Sequence, residues 1–381
     1  DLHYPLRRQR QMCIRDRDPA GTQKTSSVKR VWLYVTGVTD HHQNARPQSL
    51  ERIPDTDVWQ WQGEFSPEWR GSYCFIPSVN ENDFADTVFE GELPDRLALR
   101  EGWRKLLPHA VSDPLNPQSW RGGRGHAVSA LEMPDAPVQP GWDRPNTPYQ
   151  PPVCIEWNSE RLNNRRRVWI FTPGDDGPER PLAVLLDGQF WAESMPVWPA
   201  LASLTTGCKL PSAVYVLIDA IDMEHRSREL PCNPDFWLAV QEELLPLLKH
   251  LAPFSDRAER TVVAGQSFGG LASLYAGLNW PQRFGCVLSQ SGSYWWPHRG
   301  GQQEGRLIEQ LRAGELAASG LRIVLEAGRN EPLIFNANQA IYAELRAQQV
   351  TWRQVDGGHD ALCWRGGLTQ GLMTLWQPLI Q

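Results

Sequence analysis

Apolar positions follow two rhythms along the chain. An alternating run begins at Val31-Trp32-Leu33-Tyr34-Val35, and short strand-like segments follow at Asp57-Val58-Trp59-Gln60-Trp61-Gln62 and Gly71-Ser72-Tyr73-Cys74-Phe75-Ile76. Turn residues punctuate them and helical spacing is scarce, which predicts a small N-terminal β-sandwich up to about residue 100. The stretch from Leu107 to Pro152 is rich in Pro and Gly and reads as an irregular connection between domains. From residue 153 strands alternate with helices. Candidate strands are Val153–Trp157, Arg167–Thr172, Leu182–Asp187, Ala213–Asp219, Thr261–Ala264, Cys286–Gln290, Arg322–Glu326 and Thr351–Val355. Several are near-continuous apolar runs, as parallel strands covered on both faces require. One helix starts at the cap Asn233-Pro234 and runs toward Leu251; others cover Phe268–Leu278, Asn336–Gln348 and Arg365–Leu379. The fold class is α/β, with a mostly parallel eight-stranded sheet and helices on both faces.

Composition refines this. The chain has 381 residues, 41% of them hydrophobic, enough for two domains with proper cores. Residues 1–28 are polar, basic and aperiodic, and read as a disordered arm or a sequence extraneous to the natural protein; residues 29–150 and 151–381 are the two expected domains. Net charge is -6, which gives a nucleic-acid partner no support. No run of 18 apolar residues suggests a membrane span, and no signal-peptide core is evident. The seven cysteines lie far apart without metal-ligand spacing, and scattered thiols fit the cytoplasm better than secretion. Oligomeric state is left open. The 18 tryptophans raise the prospect of a pocket that stacks flat ligands.

The sharpest chemical signal is Gly265-Gln266-Ser267-Phe268-Gly269-Gly270, a GxSxG motif between a short apolar strand and a helix rich in small residues. That context is the nucleophile elbow of an α/β-hydrolase, with Ser267 as nucleophile. A serine hydroxyl needs a base. His359, in Gly357-Gly358-His359 after the last strand, is preferred over His298 and His225. The acid that orients it should follow the preceding strand. Glu331 is preferred there, with Glu326, Asp360 or a serine–histidine dyad as open alternatives. The oxyanion needs two amides, assigned to Phe268 and, after the third strand, Gln189. Around these lie Trp191, Trp295, Trp296, His298, Arg299, His225, Arg226 and Arg228, plates and cations suited to binding an anionic aromatic substrate.

Long motifs then resemble one family. Gly265-Gln-Ser-Phe-Gly-Gly-Leu-Ala-Ser-Leu-Tyr-Ala-Gly-Leu278, Leu288-Ser-Gln-Ser-Gly-Ser-Tyr-Trp-Trp-Pro-His-Arg-Gly-Gly301, Val355-Asp-Gly-Gly-His-Asp-Ala-Leu-Cys-Trp-Arg-Gly-Gly367, Leu185-Leu-Asp-Gly-Gln-Phe-Trp191 and Val35-Thr-Gly-Val-Thr-Asp-His-His-Gln-Asn44 are similar to the enterochelin (enterobactin) esterases. The resemblance spans about residues 29–381. It implies an N-terminal β-sandwich, a C-terminal hydrolase domain and a cytoplasmic enzyme that opens the serine trilactone of ferric enterobactin. Iron then arrives as substrate, and no cofactor or metal ligand is expected. An esterase for another small acyl substrate, or a siderophore-binding protein on an inactive hydrolase scaffold, are the competing readings.

Overall fold

The computed structural model describes residues 10–121, 125–143, 146–298, 304–346 and 348–380. By compactness the chain divides into two units. The first holds the described residues up to Pro137 together with Gly328–Pro332 and Val355–Cys363; the second holds Val138–Ala327, Leu333–Gln354 and the chain from Trp364. The Pro/Gly-rich stretch is therefore split. Beyond residue 138 it is tied to the second unit, because Trp142 Nε1 donates to Arg365 O and Thr369 Oγ1 to Pro140 O, each at 2.8 Å, on the helix Ala361–Trp376.

In the first unit, β1 (Arg10–Arg17), β2 (Arg30–Val35), β3 (Gln48–Arg52), β4 (Val58–Phe65), β5 (Arg70–Ser78), β6 (Ser119–Arg121) and β7 (Ala127–Glu132) form one sheet in the order β1-β4-β3-β2-β5-β7-β6. All its pairs are antiparallel. β3 pairs with both β2 and β4, so hydrogen bonding runs unbroken across all seven strands. Successive side chains of a strand point to opposite faces, and here both faces are buried. Val31, Leu33, Val35, Tyr73 and Phe75 pack with Ile14, Trp59 and Phe65. Trp32, Tyr34, Cys74 and Ile76 pack with Leu99 and Trp103. The last two lie on the helix Arg96–Leu106, whose N-terminus is capped by Asp95. The expected disordered arm is corrected: Arg10–Arg17 pairs with β4 along its whole length, and Ile14 is buried in the core. Residues 1–9 of that arm lie outside the described residues.

In the second unit, β8 (Val153–Ser159), β9 (Asn164–Phe171), β10 (Leu182–Leu185), β11 (Val214–Ile218), β12 (Thr261–Gln266), β13 (Cys286–Gln290), β14 (Arg322–Gly328) and β15 (Gln349–Val355) form a sheet in the order β15-β14-β13-β12-β10-β11-β9-β8. β11, β10, β12, β13 and β14 run parallel, while β9 pairs antiparallel with both β8 and β11, so the sheet is mixed. Every residue of β10, β11, β12 and β13 is buried, as strands covered on both faces must be. The edge strands β8 and β15 carry exposed positions instead. The wholly apolar runs thus mark the centre of the sheet, where a strand can hold a side chain rigidly at its end.

Candidate active site

Ser267 sits where β12 ends and the helix Phe268–Asn279 begins, with φ 59° and ψ −120°. A non-glycine residue in this region is strained, and such strain persists only where the surroundings hold it. They do so here. Ser267 N donates to Gln290 O at 3.0 Å, and Ser267 O accepts from Leu271 N and Ser293 N, each at 3.1 Å. The turn closes so tightly that a Cβ at Gly265 would overlap the backbone of Gly269. The Ser267 hydroxyl is partly exposed and lies 3.3 Å from the Ser293 hydroxyl. A partly exposed hydroxyl at a helix N-terminus, on a rigid backbone, is the arrangement a serine nucleophile needs.

The turn after β10 carries the second amide candidate. Asp187 has φ 51°, Gln189 leads into a single π-helical turn at Phe190–Ser194, and Gln189 Oε1 accepts from Ala220 N at 2.9 Å. The Asp187 carboxylate receives a two-pronged contact from Arg226, at 2.7 and 2.9 Å, and Arg226 also donates to Gln266 O at 3.3 Å. This corrects the expectation that Arg226 is a cation open to substrate. Its side chain is largely buried and pairs with Asp187; burial, the largest influence, opposes ionisation, but the Asp187 charge and hydrogen bond together raise the guanidinium pKa. Its guanidinium also lies 5.7 Å from the Phe268 ring.

The aromatic rim is only partly assembled. Trp295 packs against Phe268, with centroids 5.9 Å apart, so it stands beside the residue that follows Ser267. Trp191 is corrected: it is buried, and its Nε1 donates to Gln266 Oε1, so it underlies the turn and offers no stacking face. Trp296 packs on the core and under Arg306, at 4.5 Å. Arg228 is exposed beside Glu224, and His225 Nδ1 contacts Asp222 at 2.8 Å. His298 is partly buried, with its backbone N–H on Trp295 O. Arg299 lies outside the described residues.

Glu331 and His359 belong to the first unit, on its two short late segments. Glu331 is fully buried; its Oε1 accepts from Gly328 N at 2.8 Å and its Oε2 lies 2.6 Å from His359 Nδ1. Nε2 is the ring nitrogen turned away from that carboxylate. The segments are pinned together by Arg329 N to Val355 O at 2.9 Å and Asn330 N to Gly357 O at 3.0 Å. Asp360, an alternative acid, is occupied elsewhere: its Oδ2 accepts from Ser72 N and Ser72 Oγ, at 2.5 and 2.7 Å, and its Oδ1 from Leu362 N at 2.9 Å. Burial raises its pKa. Two neighbours were not assigned to the site from the sequence. The His42 ring lies 5.1 Å from the His359 ring. Asp40 is buried nearby, and its burial, with smaller pushes from Glu331 and Asp360, takes its carboxyl up to about 7. The motif Thr39-Asp40-His41-His42-Gln43 carried that signal, but nothing in its pattern ties it to the loop after the last strand, about 300 residues later. Among the described residues no group of three or more His, Cys, Asp or Glu is placed to hold a metal ion.

Comparison with known proteins adds a second line of support. The model of the N-terminal part of enterochelin esterases matches residues 15–142, and that of a putative esterase family matches residues 159–375. An iron(III) enterobactin esterase from Escherichia coli is 70% identical over 366 residues, covering 95% of this chain and 90% of its own. A crystal structure of ferric enterobactin esterase from Salmonella typhimurium superposes with a TM-score of 0.93 at 69% identity, covering 97% of this chain and 94% of its own. An enterobactin esterase from Shigella flexneri, crystallised in the presence of enterobactin, superposes at 0.89 with 67% identity over 97% of this chain and 93% of its own.

Proposed function

We propose, for a chain that belongs to the iron(III) enterobactin esterase family, that it hydrolyses the trilactone of ferric enterobactin to dihydroxybenzoylserine units, with Ser267 as nucleophile, His359 as base and Glu331 as the acid that orients it. The observation that carries the reading is the strained serine at the strand–helix junction, held by backbone hydrogen bonds on both its sides. The α/β architecture is read more finely as an α/β-hydrolase. Support comes from the positions of Ser267, Glu331 and His359, which follow β12, β14 and β15 of the same sheet, in the order nucleophile, acid, base.

The chemistry follows from the groups. His359 Nε2 takes the Ser267 proton as Oγ attacks a lactone carbonyl. The amides of Phe268 and Gln189 donate to the oxyanion as it forms. The tetrahedral intermediate collapses, the substrate's serine alkoxide leaves and His359 returns a proton to it. Water then attacks the acyl-enzyme by the same route. Glu331 holds His359 with Nδ1 protonated and stabilises the imidazolium. Ring opening dismantles the hexadentate cage, so iron, which enters as part of the substrate, is held less firmly. Trp295, beside Phe268, is the aromatic plate retained for the catecholate groups. The reaction belongs in the cytoplasm, where iron is then withdrawn.

Incubation of wild type and Ser267→Ala with ferric enterobactin, followed by chromatography of the products, tests this reading. Linear trimer, dimer and monomer from wild type alone support it. Intact trilactone in both samples rejects the substrate, and equal ring opening in both rejects the nucleophile.

A further inference from the structure

One chain of buried hydrogen bonds crosses the second unit beneath Ser267. Trp191 Nε1 donates to Gln266 Oε1 at 3.0 Å. Gln266 Nε2 donates to Gln290 Oε1 at 2.9 Å. Gln290 Nε2 donates to Glu326 Oε1 at 2.9 Å, and Glu326 Oε2 lies 3.1 Å from Arg353 Nε. Trp191, Gln266, Gln290 and Glu326 are each no more than 3% exposed. They come from the turn after β10 and from β12, β13 and β14, and Arg353 comes from β15. These strands stand side by side in the sheet, so the chain runs straight across it.

The ends of the chain have no choice of role. An indole N–H only donates and an ionised carboxylate only accepts, whereas an amide side chain can turn either way. Glu326 obliges Gln290 to present its NH2, which leaves the Gln290 oxygen for Gln266. Gln266 must then present its own NH2, which leaves its oxygen for Trp191. The carboxylate, together with the Trp364 carbonyl, thus sets the direction of every amide above it, and in a dry setting aligned hydrogen bonds reinforce one another. The helix Ala361–Trp376 seals the chain. Trp364 O also accepts from Gln290 Nε2 at 2.8 Å, and a Cβ at Gly367 would overlap the Glu326 carboxylate.

The chain meets the reacting groups through the backbone. Gln266 directly precedes Ser267, and Gln290 O accepts the Ser267 N–H at 3.0 Å. Trp191 stands on the turn that carries the Gln189 amide. We infer that Glu326, buried and without a place in the proton transfers, is a positioning residue that fixes the polarity of this chain and thereby holds Ser267 and the Gln189 turn in register. The inference rests on Ser267 being the nucleophile.

A double-mutant cycle tests it, with Glu326→Gln and Trp191→Phe at the two ends of the chain. The readouts are kcat and KM for ferric enterobactin and the rate at which a fluorophosphonate modifies Ser267. E326Q should lower kcat and the modification rate about tenfold with KM within about twofold, and W191F added to it should cost little more, because a chain broken at one end gains nothing from the other. Losses that multiply, as for independent sites, overturn the inference, as does a wild-type kcat in E326Q. Should E326Q fail to fold, the cycle between Gln290→Met and Trp191→Phe is read by the same criterion. Failure of the fluorophosphonate to modify Ser267 in wild type removes the nucleophile and the inference with it; modification with multiplying losses removes the inference alone.

Discussion

Glu331, Glu326 and Asp360 are three buried carboxylates with three different partners, and the partners decide their roles. Glu331 contacts His359 Nδ1, Glu326 ends the amide chain at Gln290, and Asp360 accepts from Ser72 and Leu362. Sequence placed all three near the site and preferred Glu331 but left the others open, because which way a loop carboxylate turns depends on donors distant in the chain. On the roles proposed above, Glu331→Gln should lower kcat on the order of 10³-fold or more by favouring the wrong tautomer of His359. Asp360→Asn should instead cost about 1–3 kcal/mol of stability through its unmatched donors, seen in denaturant unfolding, with kcat much less affected. Asp40 gives a pH signature. Its carboxyl titrates near 7 in the fold against an ordinary value of 3.8. Between those values the folded state holds a proton that the unfolded state has lost, so this group makes stability fall as pH rises from about 4 to about 7. Asp40→Asn should flatten that slope in melting curves across the window; an unchanged slope would contradict it.

At the scale of elements, the central strands were legible because their burial on both faces leaves continuous apolar runs, and all eight candidates of the second unit correspond to observed strands. The GxSxG junction was legible for a local reason: strand, turn and helix are contiguous in the chain. Gly265→Ala should be costly there, since the new methyl has only the Gly269 backbone to displace. Overpacking of this kind costs about 1–3 kcal/mol, and activity should fall further than stability because the serine moves. Residual activity measured beside the melting temperature checks this. β1 and the helix Arg96–Leu106 were not legible. β1 is a charged strand with Ile14 as its core anchor, and the helix buries only Leu99 and Trp103 in eleven residues, too few to mark a stripe. The strand order of the first unit was not legible, because pairing by β3 with both β2 and β4 is a tertiary fact.

For the whole molecule, the division into compact units places the Glu331 and His359 segments with the N-terminal part of the chain. Ser72 holds Asp360, next to His359, and Gln43 Nε2 donates to Asn330 O at 2.7 Å, next to Glu331. A fragment beginning at residue 138 lacks both supports. It should lose at least ~10²-fold in kcat/KM even if its sheet forms, since small displacements of catalytic groups are that costly; wild-type activity in the folded fragment would contradict this. The most direct test of the account is to quench the enzyme during turnover of ferric enterobactin and map covalent adducts by mass spectrometry of its peptides. The account predicts a siderophore-derived acyl group on Ser267 that rises and decays with product formation. Ring-opened product with no adduct on Ser267, formed equally well by Ser267→Ala, would contradict it.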